Sequence, residues 1–120
     1  MKLKEIQALL NARGLTGEEN PELEVQSACS SDMMSDVLAF PKEHMVLLTG
    51  LVNPQVIRTA EMMDMVCIVF VRSKQPTPEM VRLAEECGLV LLATSKRMYE
   101  ACGILYKSGL VGNRVKETGV

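Results

Sequence analysis

This chain has no tryptophan, two tyrosines, two phenylalanines and a single histidine in 120 residues. So few aromatics argue against a nucleic-acid surface that stacks successive bases. A formal net charge of −2 offers no cationic field to a phosphate backbone. Nucleic acid is therefore not expected as a partner. No apolar run is long enough to span a bilayer. The first thirteen residues carry Lys2, Lys4, Glu5 and Arg13 and lack the continuous apolar stretch of a signal peptide. A cytoplasmic protein without membrane contact is expected.

The four cysteines, Cys29, Cys67, Cys87 and Cys102, never stand two or three residues apart. That spacing excludes the usual zinc and iron–sulfur patterns. Cys67 lies in an apolar strand, and Cys87 and Cys102 lie on apolar helix stretches, so they read as packed, reduced thiols. Cys29 differs: it ends a strand just before a helix start, where a thiolate would be stabilised. No P-loop and no G-x-G-x-x-G follow any strand. His44 precedes a strand and has no base partner near it in sequence. Asp32 and Asp36 stand one helical turn apart with no second acidic pair, which reads as a solvated face and not a metal site. No metal, cofactor or catalytic residue is expected.

What the chain does have is a cycle. Residues 45–97 repeat an apolar strand, a polar turn and a proline-started helix. The strands read 45–49, 66–71 and 89–93. Asn53 with Pro54, and Thr77 with Pro78, open the helices between them. Residues 2–13 make an amphipathic helix with Leu3, Ile6, Leu9 and Leu10 on one stripe and Gly14 as its C-cap. Residues 16–22 read as a connection. Residues 23–29 alternate like an edge strand. Ser30, Ser31 and Asp32 can cap a helix through Met33, Met34, Val37 and Leu38, which Pro41 ends. A last helix runs through Met98, Ala101, Leu105 and Tyr106. Residues 110–120 read as a tail.

Alternation of strands and helices predicts a parallel sheet. The expected fold is a three-layer α/β domain over residues 1–120, with a mainly parallel sheet of about four strands and helices on both faces. Such a sheet gathers its loops at one edge, where ligands usually bind. The loops there place Ser31, Asp32, Thr49, Gly50, Asn53, Arg58, Arg72, Lys74 and Thr94 together as candidate ligand-binding residues. Lys96 and Arg97 add charge. Basic residues beside several helix N-termini suit a small anion such as a phosphate or carboxylate. Methionines at Met33, Met34, Met62, Met63 and Met65 cannot all be hidden on one helix face, so an adaptable surface and a homodimer are expected.

Several segments resemble the DRTGG domain: residues 47–50, 54–60, 68–72 with Pro76, 83–85, and 91–94. Residues 31–38 are similar to the stand-alone, hydrogenase-associated members found in anaerobic bacteria. The resemblance covers about residues 23–109. It implies a fold like the N-terminal domain of HPr kinase and of the Mur ligases. It also implies a regulatory module without catalytic activity, of the kind found between nucleotide-binding modules of an inorganic pyrophosphatase, where it helps form the dimer. The chain departs from the name-giving pattern: Leu51, Val52 and Asn53 stand where an aspartate-arginine pair is common, and Val71, Arg72 and Ser73 where Thr-Gly-Gly is common. The expected function is a homodimeric regulatory or accessory module sensing a small anionic or nucleotide ligand. Its rival is a structural subunit that binds a redox-enzyme partner, with Met62 or Met65 exposed. A thiol-dependent enzyme using Cys29 is the least favoured reading.

Overall fold

A computed structural model describes residues 1–16, 20–40 and 42–112. Elements run in the order α1 (Leu3–Leu9), β1 (Arg13–Gly14), β2 (Ser27–Ser30), α2 (Met34–Val37), β3 (Met45–Thr49), α3 (Pro54–Met62), β4 (Cys67–Phe70), α4 (Pro78–Cys87), β5 (Val90–Ala93) and α5 (Met98–Lys107). The strands form one five-stranded sheet in the order β1-β5-β4-β3-β2. Strands β2 to β5 are parallel and β1 is antiparallel to β5.

Strands β3 and β4 are buried throughout because helices cover both faces. Successive side chains of a strand point to opposite faces. One face sends Leu47, Ile68, Phe70 and Leu91 against Met34, Val56, Ile57, Met80 and Ala84 of α2, α3 and α4. The other sends Val46, Leu48, Val69 and Leu92 against Leu3 and Ile6 of α1 and Ala101 and Leu105 of α5. This is the expected three-layer arrangement.

The helix starts at Asn53 and Thr77 form as the sequence predicts. Asn53 Oδ1 accepts from the N–H of Gln55, Thr77 Oγ1 accepts from Met80, and a proline opens each helix. Gly88 ends α4 with φ 73°, a left-handed conformation that suits glycine.

Strands β4 and β5 are trimmed by a residue at one or both ends, and four other segments depart further from expectation. Helix α1 stops at Leu9, not at Gly14, because Asn11 turns the chain with φ 47°, a conformation asparagine tolerates. Arg13 and Gly14 then cover the edge of β5 as a fifth strand. Residues 23–25 do not belong to β2. They bond instead to the chain before and at the start of α1, with Leu3 N–H donating to Leu23 O and Val25 N–H to Met1 O. Helix α2 is one turn long, with Met33 as N-cap and no side-chain cap. The expected stop at Pro41 and tail residues 113–120 lie outside the described residues. Within the tail, Leu110 is buried and Val111 O accepts from Ala28 N–H, so the chain docks on the edge strand to that point.

Candidate functional site

The C-terminal ends of β2 to β5 lie at one edge of the sheet. The chain leaves β2, β3 and β4 toward the face covered by α2, α3 and α4, but leaves β5 toward the face covered by α5. The loops after β4 and β5 therefore part to opposite sides, and a crevice opens between neighbouring strands at such a point.

That crevice is a cleft of about 520 Å³ lined by Arg72, Ser73, Ser95, Arg97, Met98 and Tyr99. Its walls are stitched at the back: Arg72 N–H donates to Lys96 O at 2.8 Å and Ser73 N–H to Thr94 O at 3.0 Å. To reach those carbonyls both Arg72 and Ser73 adopt φ 58°. Left-handed backbone costs an L-residue roughly 1–2 kcal/mol, and strain of this kind concentrates at functional sites. Arg97 is the N-cap of α5 and makes no side-chain cap. A guanidinium has donors only, so the orphan N–H groups of the first turn receive no acceptor from it. Tyr99, 93% exposed, stands at the rim.

At the neighbouring head of β3 the groups are joined to one another. One oxygen of Asp32 accepts from Gly50 N–H at 2.7 Å and from Thr49 Oγ1 at 3.1 Å. The other faces Arg72 Nη2 at 3.5 Å, with both side chains 44% exposed. Thr49 Oγ1 in turn accepts from Leu51 N–H.

The structure thus brings Asp32, Thr49, Gly50 and Arg72 together among the nine candidates. The other five have separate roles. Ser31 Oγ accepts from Met33 N–H beside them. Thr94 is buried, and its hydroxyl donates to Leu10 O at 2.7 Å, tying α1 to the end of β5. Lys74 is exposed, and its backbone N–H closes the turn to Val71 O. Asn53 and Arg58 line a different hollow with Leu38 and Met62, on the outer side of α3. Ser73 and Ser95 fall within the loops expected at this edge but are not among the nine candidates, and Met98 and Tyr99 lie beyond those loops. The usable signal was at the start of α5, where an arginine stands in the capping position that serine, threonine, asparagine or aspartate usually occupies.

The arrangement holds charge and hydrogen bonds, and no nucleophile beside a base. His44 is exposed at the start of β3, the end of the sheet away from the cleft. Cys29 reverses its expectation: its thiol is buried, and burial, followed by the charge of Asp36, pushes it up to about 11. The Cys87 thiol donates to Glu61, and that bond is the first cause of a rise to about 11. Thiolate chemistry is disfavoured at both. Among the described residues no cluster of three or more His, Cys, Asp or Glu could hold a metal ion, and no helix is long and apolar enough to cross a membrane.

No protein-family model and no curated protein matches this chain. Among solved structures it is similar to the CBS and DRTGG domains of the regulatory region of Clostridium perfringens pyrophosphatase, in complex with the activator diadenosine tetraphosphate. The TM-score is 0.71 at 16% identity, covering 89% of this chain and 46% of that one. The chain therefore spans just under half the length of that region. At this identity the likeness shows the fold alone.

Proposed function

We propose that the chain is a non-catalytic regulatory module whose cleft between β4 and β5 binds a small phosphate-bearing anion of nucleotide size. The observation that carries this reading is the start of α5. Arg97 leaves that first turn without a side-chain cap and lines the cleft together with Arg72, Ser73 and Ser95. Helix N–H groups and paired guanidiniums are the donors that phosphate oxygens take. Tyr99 offers a face on which a base can stack. The similar fold in a regulatory region that holds diadenosine tetraphosphate supports the choice of ligand class. Asn53 and Arg58 are left out of this site because they open on another hollow.

Calorimetric titration with ATP and with inorganic tripolyphosphate tests the reading. Charge-assisted hydrogen bonds contribute about 1.5–3 kcal/mol each, so Arg72→Ala with Arg97→Ala should weaken binding by more than about tenfold. Equal binding by the double variant, or none by the wild type, would sink it.

A second reading has its own observation. Met33 is 61% and Met62 59% exposed, and Leu38 is exposed between them in sequence. Leu38 and Met62 line one hollow, and these exposed apolar side chains suit a second copy of the chain or a protein partner, including a redox-enzyme subunit of the hydrogenase-associated kind. Met65, expected among them, is buried under α3. Pull-down that survives the arginine changes and fails with Met62→Ser would favour this reading.

A further inference from the structure

Asp32 stands just before α2 yet caps nothing there. Its carboxylate instead takes an N–H from Gly50, a hydroxyl from Thr49 and a guanidinium from Arg72. An amide, a hydroxyl and a guanidinium converging on one anion make the donor set that a phosphate takes. The head of β3 is thus an anion position filled by the chain's own carboxylate.

The contacts are unequal. Those to Gly50 and Thr49 are partly buried, at 2.7 and 3.1 Å. The one to Arg72 is long and solvent-exposed, at 3.5 Å, and exposed pairs of that kind hold weakly. Gly50 makes the contact sterically possible: a Cβ built there would collide with the Arg72 guanidinium. Arg72 also lines the open cleft with Arg97. One arginine therefore borders two anion positions, its guanidinium on the filled one and the open one beside it.

We propose that Asp32 is an internal competitor for Arg72, so that a phosphate-bearing anion entering the cleft draws the guanidinium off Asp32. This inference rests on the anion-binding reading of the cleft and adds its regulation. A ligand shifts such an equilibrium only by its differential affinity for the two arrangements. The weak pair sets the size of the effect: freeing Arg72 tightens anion binding about two- to fivefold.

The test is calorimetric titration of inorganic tripolyphosphate into the wild type and the Asp32→Asn, Asp36→Asn and Arg97→Ala variants, joined to amide NMR of Gly50. Asp32→Asn keeps an acceptor for Gly50 and should bind about two- to fivefold tighter. Asp36→Asn removes the same charge four residues on and should change affinity much less. In the wild type, saturation should move the Gly50 amide resonance, although Gly50 does not line the cleft. If Arg97→Ala weakens binding while Asp32→Asn leaves it unchanged, the cleft stands and the competition falls. Equal gains from Asp32→Asn and Asp36→Asn would also overturn the competition, as a general charge effect. So would an unmoved Gly50 resonance in the wild type, whatever the stability of the variants. If neither the wild type nor Asp32→Asn binds tripolyphosphate, the cleft reading itself fails and the competition with it.

Discussion

The two halves of the sheet's loop edge are built on opposite plans. At the head of β3, donors and acceptors close on one another: Asp32 takes Gly50 and Thr49, Thr49 takes Leu51, and Asn53 caps α3. At the heads of β4 and β5 the backbone is strained at Arg72 and Ser73, and α5 begins on an arginine that caps nothing. Polar groups satisfied internally stabilise a fold, and groups held in place without partners are available to a ligand. The difference assigns stability to one half of the edge and, on the anion-binding proposal, recognition to the other.

Three substitutions test that division. The largest loss of stability is expected from Thr49→Val in the closed half. Its hydroxyl is buried and serves as donor to Asp32 and acceptor for Leu51. Stranding those partners costs about 1–3 kcal/mol, readable as a lower urea midpoint with unchanged slope. A loss below about 0.5 kcal/mol, the range of ordinary surface changes, would mean that the closed half stabilises nothing. Next comes Asn53→Ala, which removes the cap of α3 and should cost about 1 kcal/mol by the same measurement. A wild-type midpoint there would show that Pro54 alone sets the start of the helix.

How much of this division was legible in the sequence depends on the range of the signal. The closed half contains local signals, and Asn53 with Pro54 announces α3 within two residues. Thr77, Pro78 and Gly88 bracket α4 in the same way. The apolar runs of β3 to β5 gave the parallel sheet, because burial on both faces needs continuous apolarity. The remainder is tertiary. Strand β1 is two residues long and exists because β5 has an open edge. Ser31 and Asp32 have the composition of a helix cap, yet Asp32 turns toward a strand seventeen residues away. Arg72 and Ser73 carry positive φ without the glycine or asparagine that advertises it. Met65 follows Met62 and Met63 in an exposed-looking cluster, but folds under α3. The candidate site was legible as an edge of the sheet, and the choice of cleft along that edge was not.

The sharpest version of the comparison gives the open half what the closed half already has. Arg97→Asp places a carboxylate at the N-cap of α5, where φ −77° and ψ 161° are the extended values a capping residue needs. Its oxygen can accept from the first-turn N–H groups, and its charge opposes the positive end of the helix dipole. We expect the variant to be more stable than the wild type by about 0.5–1 kcal/mol, the smallest change of the three. It should lose tripolyphosphate binding at the same time, because a repelling carboxylate has replaced a guanidinium. Gain of stability with loss of binding is the trade expected where function keeps a local arrangement from its stability optimum. A variant that loses stability would mean that Arg97 supports the fold, and a variant that keeps full binding would mean that the start of α5 is not where the anion sits.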